Sequence, residues 1–207
     1  MAHTLFGPIK HRLFELMLKH SYRKQKVTLS SGRESDFYID CKAVSLCAEG
    51  ATYIGTLFNM LLQRGEPVEC IGGLTMGADP LAMATALESF RVGKYTLEPF
   101  IVRKEPKVHG TKKWIERGFK RCDVEFVQNA AILEDVITTG ASTIKAIERV
   151  RECGLHPVRV LALVDRQEDD GYMNVLRALL PNTNDTIKIP QVEALFTRED
   201  FERGHLT

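Results

Sequence analysis

The sequence lacks the features that mark membrane, secreted and broadly nucleic-acid-binding proteins. Its 28 Lys and Arg residues balance 27 Asp and Glu residues, and a net charge of +1 gives no broad positive field for nucleic acid or an anionic membrane. No hydrophobic run is long enough to span a bilayer, and the N-terminus has no continuous apolar stretch of the signal-peptide kind. Internal repeats and low-complexity linkers are also missing from the sequence. We therefore expect no nucleic-acid or membrane partner, and any polyanion site must be local.

The cysteines have no pairing or metal-binding pattern. There are five of them, none in a CxxC or zinc-like spacing, and an odd number does not suit a disulfide framework. We expect reduced, mostly buried thiols in a cytoplasmic protein. The five are Cys41, Cys47, Cys70, Cys122 and Cys153.

Hydrophobic patterns along the 207 residues predict an α/β fold. Residues 5–19 have the apolar spacing of a helix, and aromatic residues after Gly32 favour a short strand. From residue 47 onward, helical stretches alternate with apolar runs, which is typical of a mostly parallel sheet flanked by helices. We expect a small N-terminal segment, residues 1–45, and a core formed by residues 46–207. The apolar runs are 68–73, 99–103, 130–135 and 158–165.

The strongest candidate site lies at the end of the predicted strand 130–135. Glu134 and Asp135 can accept the hydrogen bonds of ribose hydroxyls, and the turn that follows leads into a predicted helix at 144–153. Free N–H groups at a helix N-terminus attract an anion, and Gly140 permits close approach to the backbone. Taken alone, the segment is equally consistent with an ordinary connection in which Thr and Ser cap the helix. The residues of the turn are Val136, Ile137, Thr138, Thr139, Gly140, Ala141, Ser142 and Thr143.

Two further segments are candidates for binding an anion. Residues 103–118 contain six Lys or Arg residues and one His, and such donors would stabilise a departing pyrophosphate. The alternatives are a solvated loop, or a small nucleic-acid patch with Trp114 as a stacking platform. A glycine-rich turn at 72–80 follows the predicted strand 68–73, and Asp79 and Pro80 suit the N-cap and first position of a helix. This turn is at least as consistent with a purely geometric role for its glycines.

Three blocks of the sequence resemble known enzymes. The order of four apolar residues, two acids, two apolar residues and Thr-Thr-Gly resembles the phosphoribosyl pyrophosphate motif of the type I phosphoribosyltransferases. The spacing Arg-Lys-Glu-x-Lys-x-His-Gly resembles the mobile catalytic loop of orotate phosphoribosyltransferases, and Asp165-Arg166-Gln167 matches a further element of that family. The resemblance runs from about residue 5 to residue 200. Its strongest blocks are 101–110, 132–143 and 164–168.

The resemblance implies a type I phosphoribosyltransferase fold with an N-terminal hood, and transfer of phosphoribose from phosphoribosyl pyrophosphate to orotate in pyrimidine biosynthesis. It implies Mg²⁺ carried mainly by pyrophosphate, with no protein metal site, and a homodimer in which the 103–118 loop reaches the other subunit. The catalytic residues it implies are Glu134, Asp135, Lys107 and His109. For pyrophosphate it implies Arg103, Lys104, Lys107 and His109, and for orotate Tyr38, Ile39, Thr138 and Arg166.

The chain departs from the family at two places. Many members carry a lysine where this chain has Ser30, and often another beside the glycine of the 72–80 turn, where this chain has Met76-Gly77. Arg166 also has an alternative role, because it could pair with Asp165, Glu168 or Asp169. Two other functions stay open at this stage: a related enzyme that uses a purine base, and a non-catalytic regulator that senses phosphoribosyl pyrophosphate.

Overall fold

The computed structural model describes residues 2–28, 34–93, 95–106, 114–118, 128–180 and 191–206, and its helices pack on both faces of a central sheet. The helices are α1 Ala2–His20, α2 Lys42–Ser45, α3 Ala48–Leu62, α4 Ala78–Val92, α5 Ala141–Glu152, α6 Gly171–Leu179 and α7 Arg198–Arg203. The strands are β1 Tyr22–Thr28, β2 Glu34–Ile39, β3 Cys70–Leu74, β4 Glu98–Val102, β5 Ile115–Arg117, β6 Asn129–Ile137, β7 His156–Asp165 and β8 Gln191–Thr197.

The central sheet has six strands in the order β5-β4-β3-β6-β7-β8, and all its pairs are parallel except β4 with β5. The chain builds outward from β3 to β4 on one side and from β6 through β7 to β8 on the other. The direction of winding therefore reverses between β3 and β6. Ligands of open α/β sheets bind at such a reversal, beyond the carboxyl ends of the strands.

The core lies on both faces of this sheet because the inner strands are apolar along most of their length. Along β6, Ala131 and Leu133 belong to one hydrophobic cluster with residues of α1, α3 and α4. Ala130 and Ile132 point the opposite way, into a second cluster with residues of α5 and α6. Strands buried on both faces have continuous hydrophobic runs rather than alternation, which is the pattern of the sequence here.

Arg159 interrupts the hydrophobic run of β7, yet its side chain is only 1% exposed. Its guanidinium donates to the carbonyl oxygens of Leu61 and Leu62 at the end of α3, and to the carboxylate of Glu193 on β8. The positive charge thus meets the negative end of a helix dipole and an ion-pair partner, which offsets the cost of burial.

The hairpin β1-β2 forms a separate two-stranded antiparallel sheet. It is fastened to α1 and α7 by a cluster of aromatic rings whose centroids lie 5.2 to 6.1 Å apart. Such pairs stabilise beyond their buried area. The hairpin is therefore held to both ends of the chain. The rings belong to Phe14, Tyr22, Phe37, Phe196 and Phe201.

The α/β architecture and the four predicted central strands are confirmed, with ends shifted by one to two residues in most cases. The predicted N-cap at Asp79 is wrong: α4 begins at Ala78 with Gly77 in helical geometry, and Asp79 lies in the first turn. The four cysteines in the described ranges are free thiols, but Cys47 and Cys153 are exposed, so the expectation of mostly buried thiols is wrong for these two. Within the described ranges, none of the helices combines the length and apolar character needed to cross a membrane.

Candidate active site

The turn after β3 lies directly against the acidic pair on β6. A Cβ atom at Gly77 would lie 2.7 Å from Oδ1 of Asp135, so a side chain at this position would collide with the carboxylate. In the same turn, the Thr75 hydroxyl donates to Oδ2 of Asp79 at 2.6 Å. The two turns predicted to contact one donor molecule therefore meet at the reversal of the sheet.

Glu134 is enclosed behind the turn that follows it. Its side chain is 4% exposed, and Oε2 accepts hydrogen bonds from the hydroxyls of Ser142 at 2.6 Å and Thr143 at 2.8 Å. Burial, followed by the neighbouring Asp135 carboxylate, raises the pKa of Glu134 to about 7. Glu134 thus holds the start of α5 through two hydrogen bonds, and its pKa is raised toward neutrality.

Asp135 is the more open of the two acids. Oδ1 accepts from the backbone N–H of Val136 at 2.9 Å, and Oδ2 lies 3.9 Å from Nζ of Lys42. Its side chain keeps 19% of its surface exposed. A carboxylate in this position can accept further hydrogen bonds from a bound sugar.

The turn between β6 and α5 has the geometry of an anion site. Gly140 has a left-handed φ of 81°, and a Cβ atom there would lie 2.7 Å from a side-chain carbon of Val175, so glycine is required twice over. The hydroxyl of Thr139 accepts from the N–H of Ala141 at 3.3 Å. The twelve-residue helix α5 thus begins directly after this turn, beside the crevice between the ends of β3 and β6, and its dipole favours negative charge there.

Two residues of this motif face the core instead of the crevice. The Ile137 side chain is fully buried, and its carbonyl oxygen accepts from the N–H of Arg166 at 2.9 Å. Val136 is half-buried against the first hydrophobic cluster. Contacts of Val136 and Ile137 with a ligand are therefore restricted to the backbone.

The basic segment is described at its two ends, while Lys107 and His109 lie outside the described residues. Arg103 and Lys104 line a cavity of about 390 Å³ together with Thr75 of the β3 turn. The Arg103 guanidinium pairs with Glu116 at 3.0 Å. These two cations therefore stand on the same side of the crevice as the glycine-rich turn.

Helix α5 holds both ends of the basic segment. Nζ of Lys145 donates to the carbonyl oxygen of Lys104 at 3.1 Å. Four residues further along α5, the Arg149 guanidinium lies 3.7 Å from the centroid of the Trp114 ring. One face of Trp114 is thus already covered by a cation–π contact, which leaves less of the ring for the alternative role of stacking on a base.

Arg166 lies under the β1-β2 hairpin. Nη2 donates to the Ser35 hydroxyl at 3.0 Å, to the Phe37 carbonyl at 3.1 Å and to the Glu168 carboxylate at 3.2 Å. Its Nε is buried and has no hydrogen-bond partner among the described residues. The structure therefore brings Arg166 beside the strand that carries the predicted base-contacting residues Tyr38 and Ile39, and it also confirms the alternative pairing with Glu168.

Several neighbours of the site were not singled out as site residues from the sequence. Lys42 lies near Asp135, and the Cys41 thiol donates to the Asp135 carbonyl at 3.6 Å. Burial, then Asp135, raises the pKa of Cys41 well above its usual range, so this group stays a neutral thiol. Ser35 and Arg198 complete the surroundings of Arg166, the latter through Glu168. Only the position of Lys42 and Cys41 directly after the hairpin strand could have drawn attention to them.

Comparisons with known proteins agree on one family. No protein-family model matches the chain. The orotate phosphoribosyltransferase of Sorangium cellulosum is 42% identical over 195 residues, which is 93% of this chain and 92% of that protein. The orotate phosphoribosyltransferase of Bradyrhizobium diazoefficiens is 46% identical over 157 residues, 76% of this chain and 82% of that protein.

Solved structures give the same result. The orotate phosphoribosyltransferase of Mycobacterium tuberculosis H37Rv in complex with Fe(III) dicitrate matches with a TM-score of 0.71 and 30% identity, covering 94% of this chain and 99% of that one. A second structure of that enzyme, in complex with 5-phospho-alpha-D-ribosyl 1-diphosphate, has a TM-score of 0.68 and 27% identity, with the same shares covered.

The sheet order and the acidic strand end against a helix N-terminus define a type I phosphoribosyltransferase. Within this class, an identity of 42% over nearly the full length assigns the chain to one enzyme family. The chain belongs to the orotate phosphoribosyltransferase family, which are pentosyltransferases of pyrimidine biosynthesis.

Proposed function

We propose that the crevice between β3 and β6 transfers the phosphoribosyl group of phosphoribosyl pyrophosphate to orotate. N1 of orotate forms a bond to C1 of the sugar while the bond from C1 to oxygen breaks, and the configuration at C1 inverts. The electron pair leaves with pyrophosphate, the N1 proton is released, and orotidine 5'-monophosphate is formed. The observation that carries this proposal is the meeting of Asp135, the Gly77 turn and the N-terminus of α5 at one point.

The acidic pair belongs to the sugar side of the reaction. As the C1–O bond breaks, positive charge develops on the ribose, and a fixed carboxylate stabilises that charge selectively in the transition state. Asp135 is open enough to bind the ribose hydroxyls directly. We assign Glu134 mainly to holding Ser142 and Thr143 in place, since both of their hydroxyls already donate to it.

The turn 138–142 is proposed to hold the 5'-phosphate. Backbone N–H groups at the start of α5, with the hydroxyls of Thr138 and Thr139, suit three phosphate oxygens. Gly140 keeps the turn free of a side chain that would block this approach. Thr138 is also proposed to contact orotate, from the half-buried position it holds at the edge of the crevice.

The leaving pyrophosphate is assigned to the basic segment. Arg103 and Lys104 stand beside Thr75, and Lys107 and His109 follow within the same segment of sequence. Cationic donors lower the barrier as negative charge grows on the departing oxygen. Because Lys145 of α5 donates to the Lys104 carbonyl, the phosphate turn and the pyrophosphate side both contact this helix.

Mg²⁺ is proposed as the metal of the reaction. The described residues contain no group of three His, Cys, Asp or Glu side chains placed to hold a metal. Mg²⁺ retains several waters and takes ligands from substrate phosphates, so we assign it mainly to the pyrophosphate of the donor. When bound, the ion would neutralise charge on the leaving pyrophosphate.

Orotate is assigned to the space under the hairpin. A guanidinium fits a planar carboxylate through parallel hydrogen bonds, and Arg166 keeps a buried Nε without a protein partner in the described part of the chain. Tyr38 and Ile39, on the same hairpin strand that Arg166 contacts, are proposed to cover the base. Residues 1–45 would then act as a hood over the core formed by residues 46–207.

A homodimer in the cytoplasm is part of the proposal. Met76, Met83 and Leu87 expose between 50% and 64% of their surface on α4 and the turn before it. We assign this face to contact with a second copy, and, as the family resemblance implies, the 103–118 segment of that copy to the crevice. Free cysteines in the described ranges suit a reducing compartment.

The activity is tested by supplying phosphoribosyl pyrophosphate and Mg²⁺ with orotate, hypoxanthine or adenine and measuring released pyrophosphate. Of these three bases, we expect only orotate to be turned over. Rapid turnover of hypoxanthine without orotate turnover would replace the proposal with a purine enzyme. Retention on RNA or DNA at physiological salt, with no base turned over, would instead indicate a regulator.

A further inference from the structure

Arg198 joins three parts of the molecule at the edge of the proposed orotate site. It is the first residue of α7, and Nη1 lies 2.5 Å from the Glu168 carboxylate. Nη2 lies 2.7 Å from Asp36 on the hairpin strand β2, and Nε lies 2.6 Å from Glu202. One guanidinium therefore ties the C-terminal helix to the hood and to the loop after β7.

Glu168 is shared between two guanidiniums. Its Oε1 accepts hydrogen bonds from both Arg198 and Arg166, and its side chain is only 15% exposed. In such a partly buried group, the interaction between charges is screened less than it would be in water. The charge of Glu168 is therefore divided between Arg198 and the residue assigned to the orotate carboxylate.

The surroundings of Glu168 are otherwise acidic. A cavity of about 510 Å³ adjoins it, and the charged residues that line the cavity are Lys26, Glu34, Asp36, Glu168, Asp169 and Arg198. Four carboxylates thus face two cations. Removing Arg198 would leave Lys26 as the remaining cation among these lining residues, and the field near Arg166 would become more negative.

Arg198 is also held in place with little freedom. The side chain and backbone of Thr197 exchange hydrogen bonds with Asp200 in a capping box that fixes the start of α7. The guanidinium lies 5.4 Å from the centroid of the buried Phe37 ring, and that of Arg166 lies 5.3 Å from the same centroid. Phe37 therefore sets the spacing of the two guanidiniums.

We propose that Arg198 is a positioning residue for the base site: it partly neutralises Glu168, so that Glu168 holds Arg166 less strongly and Arg166 can bind the carboxylate of the incoming base. The inference rests on the proposed assignment of Arg166 to orotate. Without Arg198, Glu168 competes with the substrate carboxylate for the same guanidinium, and the acidic cavity repels the substrate. The effect should appear in binding of the base and not in binding of the sugar donor.

The first test compares Arg198→Gln with Arg203→Gln, a matched loss of one arginine from the same helix, where Arg203 pairs with Glu199. We expect Arg198→Gln to raise the KM for orotate by roughly tenfold, as for loss of one charged hydrogen bond, with the KM for phosphoribosyl pyrophosphate unchanged. Arg203→Gln should leave both constants unchanged. An equal rise of both constants, or none, would overturn the inference.

A second substitution separates this role from simple support of the fold. Glu168→Gln removes the competing charge, so we expect the double variant Arg198→Gln/Glu168→Gln to recover most of the orotate KM lost in Arg198→Gln. Arg198→Lys, which keeps a charge near Glu168, should recover part of it. A purely structural Arg198 would predict further loss in the double variant, a result that contradicts the proposal.

Two controls complete the design. Asp36→Asn removes the hairpin contact alone, and an orotate KM raised as much as in Arg198→Gln would shift the role from Glu168 to the hood. Thermal unfolding of each variant identifies any that do not fold. If the unaltered protein does not turn over orotate at all, the proposed function fails rather than the role of Arg198.

Discussion

Replacing Glu134 by Gln should change how stability depends on pH. Burial raises the pKa of Glu134 from its ordinary 4.5 to about 7. Between these values the unfolded chain loses the proton that the folded protein keeps, so this group contributes stability below pH 4.5 that is lost as pH rises to about 7. At 1.36 kcal/mol for each pH unit between the two values, the loss amounts to roughly 3 kcal/mol.

The substitution keeps the two hydrogen bonds from hydroxyls, while the N–H of Asp135, which donates to the other oxygen of Glu134 at 3.2 Å, loses its acceptor at every pH. The side-chain oxygen of Gln can accept from Ser142 and Thr143 as Glu134 does, and it carries no charge to bury. We therefore expect Glu134→Gln to gain stability relative to the unaltered protein as pH rises, by about 2 to 3 kcal/mol between pH of about 5 and about 8.5.

Urea unfolding of both proteins at the two pH values measures this difference. Titrations of groups that do not interact with Glu134 cancel when the two proteins are compared at the same pH. A difference in unfolding free energy that stays constant with pH, or that moves against Glu134→Gln as pH rises, would refute the assignment of a raised pKa to this carboxyl.

Three further predictions concern the site and the core. Asp135→Asn should lower turnover by at least about 100-fold, and more than Glu134→Gln does, because Asp135 is the open acid; steady-state pyrophosphate release checks this, and equal losses would contradict the division of roles. Gly140→Ala should cost about 1 to 3 kcal/mol in urea unfolding, since its φ is 81° and a Cβ atom would lie 2.7 Å from an α6 side chain; an unchanged midpoint would disprove this strain. Phe14→Ala, at a residue 1% exposed, should cost about 3 to 5 kcal/mol, whereas Leu5→Ala on the same helix, at 56% exposure, should change stability by less than about 0.5 kcal/mol in the same assay.

The central strands and the acidic motif could be predicted from sequence because their signals are local. A strand buried on both faces is apolar along most of its length, and residues 130–133 and 160–164 meet that condition. Two acids followed by a hydroxyl-rich turn likewise indicate the end of a strand and the start of a helix. The prediction of Asp79 as N-cap is wrong because Gly77 adopts helical geometry and α4 begins one residue earlier, which no local preference of glycine indicates.

The surroundings of Arg166 could not be predicted in the same way. Ser35, Glu168 and Arg198 are separated by up to 163 residues of sequence, and only the closing of the sheet brings them together. Sequence also did not separate the two acids, because the difference between Glu134 and Asp135 arises from which side of β6 each faces. The surroundings of Arg166 and the difference between the two acids both depend on long-range packing, which has no local signature in the sequence.

The pairing of β3 with β6 has a consequence for how the protein matures. Cys70 on β3 is aligned with Ala130 on β6. The ribosome must therefore add sixty residues after Cys70 before the two strands that flank the crevice can pair. Closing so long an interval has an entropic cost, and such contacts are made late in folding. A nascent chain that has only just completed β4 therefore lacks one side of the crevice and is unable to bind the sugar donor.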